Sequence, residues 1–303
     1  MRTGIFIFIF VFSILAIFYF LFSHSDLSSE TFVASIDLSS NEFLETGVVQ
    51  DVIPKEPLKT LPYINEYSQN SLDKSNPSEL HSYLTITNGC GTVVEKTCAH
   101  AYASATTSSS VRATLRIGMV LLIKDTITAP NSTLWYSVTF DEDLRYGERL
   151  TLPWFVPAEY GEINSDIGQL YADASTTQSS KSIIVDRSEQ ILYAYEGEEL
   201  FLETPVSTGL LLTPTPRGTF TVFMKTPTRY MQGPIPGISD QYYDLPGVPW
   251  NLYFTKQGAV IHGAYWHNSF GKPWSHGCVN LPPDIAKKIY IWADLGMTVT
   301  IRD

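Results

Sequence analysis

Apolar residues are distributed along the chain in three different ways. Positions 5–22 are almost continuously apolar, positions 24–80 are largely polar without a sustained period, and later segments alternate apolar and polar residues over short runs. Alternation with a period of two is typical of half-buried β-strands. We therefore predict a mainly β protein whose folded part begins near residue 81.

The N-terminal apolar run carries no charge, glycine or proline. Crossing a bilayer as a helix takes roughly 20 apolar residues, so the run is long enough for a single-pass anchor. Arg2 precedes it and acidic residues follow it, which favours a cytoplasmic N-terminus. The alternative is a cleaved signal peptide, although no A-x-A-like cleavage site follows. We expect a transmembrane helix at 1–23, a disordered linker at 24–80 and an extracytoplasmic remainder in the cell envelope.

Short β-like runs separated by Gly, Asn and Asp occupy residues 81–160. The segments 116–118, 134–136 and 154–157 resemble bacterial SH3-like wall-binding modules. The alternative is an unrelated small β domain, because aromatic positions of this kind recur in many barrels. We expect a small SH3-like β domain at 81–160, followed by a linker at 161–180.

The C-terminal part combines strand patterns with one helical pattern. Two β-branched and aromatic runs, 182–186 and 191–195, flank a short polar turn and predict a hairpin. After two prolines, apolar residues recur at helical spacing from Asp284 to Leu295, with Asp284 as the predicted N-cap. The other strands predicted here are 200–207, 219–224 and 298–301.

The charge of the chain narrows the classes of function. The formal net charge is -11 at pH 7, and the Lys and Arg residues do not cluster. Binding of nucleic-acid phosphates needs a basic surface, so we expect no nucleic-acid partner. An acidic surface is compatible with a cationic or zwitterionic substrate.

The three cysteines fit an exported protein. Cys90 and Cys98 are close enough in the chain for a short-loop disulfide in an oxidising compartment, and the alternative is two unpaired small residues. Cys278 is then left as the odd thiol. A leftover thiol in an exported protein needs a chemical reason.

Residues 259–281 hold three of the six histidines together with Cys278. The thiolate is the reactive form of cysteine, and a nearby histidine can stabilise it and pass its proton to a leaving amine. Backbone N–H groups of Gly277 and Cys278, on a turn that glycine permits, could form an oxyanion hole. These residues supply the parts that acyl transfer requires.

Two other interpretations of this segment stay open at the level of residues. Zinc could be bound by imidazole and thiolate groups, but the spacing matches no compact structural zinc pattern, and we expect no metal. The histidines could instead be packing residues of an aromatic-rich β domain. The zinc hypothesis would use His262, His267, His276 and Cys278.

The pattern His262-Gly263, followed after a gap by Ser275-His276-Gly277-Cys278-Val279-Asn280, resembles the signature of the YkuD-type L,D-transpeptidase catalytic domain. The resemblance covers about 181–303. It implies a YkuD-like β-sandwich with one C-terminal helix and an enzyme without metal or organic cofactor. Its implied substrate is the peptide stem of peptidoglycan.

The resemblance also implies roles for individual residues. Cys278 would attack the carbonyl that joins the third residue of a tetrapeptide stem to its terminal D-alanine, giving a thioester. Spacing alone favours His276 as base, but the resemblance favours His262 as general base and acid, held by the Gly263 carbonyl. The other implied roles are pocket shaping by His276 and Ser275, oxyanion binding by the Gly277 and Cys278 N–H groups, loop bracing by Asn280, and substrate-groove positions for Trp266 and Tyr243.

Several outcomes are compatible with such a site. An amine of a second stem as acceptor gives a new cross-link, water gives an L,D-carboxypeptidase, and a protein amine gives a protein-to-wall ligase. A function of another class is a tethered, non-catalytic peptidoglycan-binding protein in which the β module does the binding.

Overall fold

The computed structural model describes residues 80–91, 98–140, 144–173, 175–176, 178–235 and 239–303. All of them fall within one compact unit that comprises residues 59–303. The predicted anchor at 1–23, and all but the last residue of the predicted linker at 24–80, lie outside the described residues. Within the described ranges, no helix has the length and apolar character needed to span a membrane.

The first part of the described chain forms a seven-stranded, wholly antiparallel sheet. Its strands follow the predicted alternation, with apolar side chains such as Leu84, Leu121 and Val156 buried on one face. The strands are β1 (His81–Ile86), β2 (His100–Tyr102), β3 (Val111–Thr114), β4 (Val120–Thr128), β5 (Leu134–Thr139), β6 (Trp154–Pro157) and β7 (Gly161–Asp166), in the spatial order β3-β2-β6-β5-β4-β1-β7.

A disulfide joins Cys90, just after β1, to Cys98, just before β2. Cys90 is fully buried, and its backbone N–H donates to the carbonyl of Leu115 at 2.9 Å. The disulfide therefore links the chain after β1 to the segment that enters β2, which lies next to the edge strand β3 on the opposite side of the sheet. The SH3-like character of residues 81–160 stays a prediction.

The rest of the described chain contains two five-stranded sheets. One has the order β11-β10-β9-β17-β12 and the other the order β16-β15-β14-β13-β8. The first contains β9 (Lys181–Asp186), β10 (Ile191–Glu196), β11 (Glu199–Pro205), β12 (Gly218–Thr221) and β17 (Thr298–Arg302). The second contains β8 (Leu170–Tyr171), β13 (Met224–Ile235), β14 (Ser239–Tyr253), β15 (Val260–Gly263) and β16 (Val279–Leu281).

A shared apolar core joins these two sheets to a helix, α1 (Pro283–Trp292). Ile183 of β9, Ile261 of β15 and Ile289 of α1 are all essentially inaccessible to solvent. The mainly β architecture with one late helix is confirmed for the part of the chain that the structure describes. Among the predicted elements, the hairpin at 182–195 corresponds to β9 and β10, which pair antiparallel.

The ends of α1 correct the sequence prediction. The residue at the N-cap position is Pro282, and no side chain caps the helix, so Asp284 is not the N-cap. Asp284 lies in the first turn instead, where a carboxylate is still favoured by the helix dipole. The helix ends at Trp292, before the predicted Leu295.

Residues 161–180, predicted as a linker, instead contribute one strand to the seven-stranded sheet and one to the second five-stranded sheet. β7 pairs with β1, while β8 pairs with β13 of the second five-stranded sheet. The packing is continuous as well, because Tyr83 of β1 belongs to the same buried cluster as Ile183. The seven-stranded sheet is therefore packed directly against residues 181–303 and lies close enough to shape a site there.

Candidate active site

β15 and β16 bring the predicted catalytic residues to one face of a sheet. The two strands are parallel, with Ile261 opposite Val279 and His262 opposite Asn280. Ile261 and Val279 point into the core, so the alternating residues His262 and Asn280 point to the other face. Cys278 directly precedes β16 and continues this alternation, which places its thiol on the face of the His262 imidazole.

The imidazole of His262 is fully buried and held by its own chain neighbour. Its Nδ1 lies 3.0 Å from the carbonyl oxygen of Gly263. A carbonyl oxygen can only accept, so Nδ1 carries the proton and Nε2 carries the lone pair. That Nε2 makes no hydrogen bond within the described part of the chain. Burial lowers the pKa of His262 to about 3, which keeps the ring neutral at neutral pH.

Glycine at position 263 permits close packing behind this histidine. A Cβ on Gly263 would lie 2.8 Å from Cγ of Pro249 and 3.0 Å from the backbone of Pro283. Both distances are shorter than ordinary van der Waals contact. The glycine therefore lets β15, β14 and the start of α1 meet without pushing the His262 strand outward.

The Cys278 side chain is half-buried, and its thiol makes no hydrogen bond to Nε2 of His262. Sγ donates weakly to the carbonyl oxygen of Gly258 at 3.8 Å, and the side chain packs against Val260 and Tyr253. Burial raises the pKa of the thiol, while the positive charge of Arg229 and the Val260 N–H lower it in part. The net effect is a rise, so Cys278 rests as the neutral thiol.

The loop before Cys278 is held by hydroxyl groups. Ser275 Oγ accepts from the Gly277 N–H at 3.1 Å and donates to the Cys278 carbonyl at 2.6 Å. Thr215, which is fully buried, donates its hydroxyl to the same carbonyl at 3.3 Å. Gly277 has φ +115°, a conformation that L side chains rarely adopt.

These contacts correct one predicted role. The Gly277 N–H is used inside the loop by Ser275, so it is not available in this structure as an oxyanion donor. Ser275 acts as a brace for the loop backbone rather than as a wall of the pocket. Of the predicted pair of donors, the Cys278 N–H is the one that remains a candidate.

Asn280 joins a buried network with His267. The side-chain amide of Asn280 lies 2.9 Å from Nε2 of His267, and Nδ1 of His267 accepts from the Ser269 N–H at 3.1 Å. The Asn280 atom at this distance is Nδ2, but a neutral ring that accepts at Nδ1 must donate at Nε2, so this pairing requires the flipped amide, with its oxygen towards the ring. Burial lowers the pKa of His267 to about 4, in agreement with a neutral ring.

The aromatic residues predicted to line the groove lie around this face. Tyr243 stacks on His276, with ring centroids 6.4 Å apart and planes 17° apart. Burial, and then the negative charge that Cys278 carries when it is ionised, raise the pKa of Tyr243 to about 12. Trp266 is tilted against His262 at 5.8 Å between ring centroids. The structure thus brings all of these predicted residues together.

Arg229 is a member of this site that the sequence did not reveal. It lies on β13 opposite Val248, and its guanidinium carbon is 5.2 Å from the ring centroid of Tyr253. Its positive charge lowers the pKa values of Cys278, His262 and Tyr243. The sequence contained one indication of Arg229, a positively charged residue within a strand of mostly buried residues. The direction of its side chain becomes clear only from the pairing of β13 with β14.

The three histidines of the zinc hypothesis have different neighbours. His262 uses Nδ1 for the Gly263 carbonyl, and the ring nitrogens of His267 face Ser269 and Asn280. His276 stacks on Tyr243. Across the described ranges, no three metal-ligating side chains gather into a group.

Residues 180–301 match the model of the YkuD family, the L,D-transpeptidase catalytic domain. The likeness to the YkuD family is a property of this segment, which is less than half of the chain. The recognition of the YkuD signature around Cys278 is therefore confirmed.

Known L,D-transpeptidases are similar to part of the chain. A candidate L,D-transpeptidase YkuD of Bacillus licheniformis is 30% identical over 102 residues, which are 33% of this chain and 52% of that protein. The chain thus spans about half the length of the curated relative it matches. An L,D-transpeptidase from Mycobacterium smegmatis is 24% identical with a TM-score of 0.39, covering 56% of this chain and 90% of that one. The catalytic domain from the E. faecium L,D-transpeptidase is 26% identical with a TM-score of 0.36, covering 42% and 99%.

Proposed function

We propose that this YkuD-family chain is an L,D-transpeptidase that forms or remodels peptide cross-links in peptidoglycan through a thioester on Cys278. One observation carries the proposal. His262 and Cys278 lie on one face of β15 and β16, with the His262 proton fixed on Nδ1 by Gly263 and a lone pair left on Nε2. A thiol beside a correctly oriented neutral imidazole is the pair that acyl transfer needs.

The proposed first step transfers the acyl group of a donor tetrapeptide stem. Sγ of Cys278 turns from the Gly258 carbonyl towards Nε2 of His262, loses its proton to that nitrogen and bonds to the carbonyl carbon of the third stem residue. The bond to the terminal D-alanine then breaks, and His262 returns the proton to the leaving amine. The products are free D-alanine and a thioester on Cys278.

The resting protonation states favour a concerted start to this step. The thiol has a raised pKa and His262 a pKa of about 3, so neither group is charged before the substrate arrives. Proton transfer is then coupled to attack, rather than completed beforehand as in a preformed thiolate–imidazolium pair. The Cys278 N–H is the proposed donor to the oxyanion.

The second step needs an amine acceptor. An amine on the side chain of a second stem attacks the thioester, giving a cross-link and restoring the thiol. Water in the same place gives a carboxypeptidase, and a protein amine gives a protein-to-wall ligase. Peptidoglycan requires a site outside the cytoplasm. The Cys90–Cys98 disulfide supports an oxidising compartment, and we assign the apolar run at 5–22 as the membrane anchor.

The deciding experiment incubates the purified full chain with tetrapeptide muropeptides and identifies products by mass spectrometry. We expect cross-linked dimers and free D-alanine, and neither with Cys278→Ser. If tripeptide monomers form without dimers, the proposed activity is that of a carboxypeptidase and not of a transpeptidase. A folded protein that yields no product, and no covalent adduct with a carbapenem, would favour the non-catalytic peptidoglycan-binding protein.

A further inference from the structure

A cavity separate from the thiol lies where the seven-stranded sheet meets the β13–β14 hairpin. Its volume is about 360 Å³, the lower end of the range for small-molecule sites. The walls combine positive charge with aromatic rings in a chain whose net charge is -11. The charged lining residues are Arg112, Arg116, Arg149 and Asp244, and the aromatic ones are Trp154, Tyr230 and Tyr265.

The three arginines differ in what their donors contact. Arg116 donates to the carbonyl of Gly91 at 2.8 Å, and Arg149 donates to the carbonyl of Gly233 at 2.6 Å. Nε of Arg112 is buried and makes no hydrogen bond to any residue that the structure describes. A buried donor without an acceptor destabilises the protein, and a charged donor does so more than a neutral one. An anionic acceptor in the cavity would remove that destabilisation.

The cavity lies behind the part of the hairpin that faces Cys278. Tyr230 and Asp244 line the cavity. Their chain neighbours Arg229 and Tyr243 act on the Cys278 thiol, because side chains alternate between the faces of a strand. A ligand in the cavity would therefore contact the back of the hairpin and leave the thiol accessible.

We propose that this cavity binds the carboxylate end of a short peptide, with Arg112 as the principal donor. A guanidinium presents parallel N–H groups that match the two oxygens of a carboxylate. Aromatic walls such as Trp154 and Tyr230 suit an organic ligand, and the carboxylate of Asp244 disfavours a dianion such as phosphate. The site requires no step at Cys278, so it does not depend on the proposed function.

Calorimetric titration of the full chain tests the site. The probe is N-acetyl-dialanine, with its C-terminal amide and inorganic phosphate as the comparison ligands. Cys278→Ser serves as the background, which prevents turnover. Four substitutions are compared. Arg112→Gln is set against the matched charge loss Lys124→Gln at an exposed position of β4, and Thr114→Glu is set against Thr114→Gln at an exposed position of the cavity lining.

We expect saturable binding of the acid, weakened about tenfold or more by Arg112→Gln and by Thr114→Glu but not by Lys124→Gln or Thr114→Gln. The Thr114 pair keeps the test decisive if Arg112→Gln does not fold, because exposed Thr114 accepts either side chain. Equal binding of the acid and its amide would overturn the proposal. So would phosphate binding as tight as that of the acid, or an unchanged affinity in Thr114→Glu.

Discussion

Nδ1 of His262 lies 3.0 Å from the carbonyl oxygen of Gly263, the next residue in the chain. This contact within β15 fixes both the plane of the ring and the position of its proton. His276, although only two positions from Cys278, instead stacks on Tyr243. We therefore propose His262 as the base, because its imidazole has a fixed lone pair on the thiol's face, although His276 is closer to Cys278 along the chain.

Substitution of each histidine tests this assignment. We expect His262→Ala to slow acylation of Cys278 by a carbapenem by about 10²–10⁴-fold, the usual contribution of general base catalysis. His276→Ala should remain within about tenfold of the unmodified protein. The measurement is the rate of adduct formation by intact-mass spectrometry, with thermal unfolding as the control for folding. Near-normal acylation in His262→Ala together with loss in His276→Ala would reverse the assignment.

The pH dependence of alkylation reports the resting state of the thiol. Burial raises the pKa of Cys278, so its thiolate fraction is small at neutral pH. We expect the rate of modification by iodoacetamide to keep rising with pH beyond about 8.5, the ordinary pKa of a free cysteine. Cys278→Ser is the control for reaction elsewhere. A rate that is already constant between pH 6 and 8 would show a preformed thiolate and contradict the concerted start.

Arg229 opposes the effect of burial on the thiol. Its charge lowers the pKa of Cys278, so Arg229→Gln should move the alkylation profile to higher pH, whereas Arg229→Lys should keep most of the effect. The same comparison on carbapenem acylation should show a slower reaction in Arg229→Gln only. If the two variants give the same profile, the charge of Arg229 does not act on the thiol.

The motif around Cys278 could be recognised from sequence because its residues are contiguous. His262 and Cys278 come from strands that are adjacent in space, and each is flanked by a recognisable pattern. Arg229 could not be found in this way. It reaches the site only through the β13–β14 pairing, which is a long-range contact without a local signature.

The errors in the sequence predictions have physical causes of the same kind. The sequence analysis predicted that the Gly277 N–H donates to the oxyanion, but in the structure this N–H donates to the Ser275 hydroxyl. Asp284 is a good N-cap by type, yet Pro282 occupies that position because the helix begins at Pro283, two residues before the start that a cap at Asp284 requires. Residues 161–180 are too polar for a strand pattern to be recognised in their sequence. They form β7 and β8 because β1 and β13 each have an edge with free backbone hydrogen-bonding groups.

Two buried histidines predict a loss of stability in mild acid. An unfolded histidine titrates near 6.5, whereas burial lowers the pKa of His262 to about 3 and that of His267 to about 4. Between these values the unfolded chain binds more protons than the folded one. Their contribution is therefore complete above about pH 6.5 and is lost as pH falls towards 4, by on the order of 2 kcal/mol per histidine between pH 7 and 5.

His267→Gln isolates one of these contributions. Asp166 has a pKa raised by burial, which stabilises the folded chain as pH falls and so opposes the histidines. The quantity to measure is thus the difference in unfolding free energy between the unmodified protein and His267→Gln, by denaturant titration at pH 7 and pH 5. We expect this substitution to cost stability at pH 7, because it removes a ring bonded to both Asn280 and Ser269, and to cost less at pH 5. If the difference in unfolding free energy is the same at pH 7 and pH 5, the pKa of His267 does not change between the folded and the unfolded chain, and the prediction is wrong.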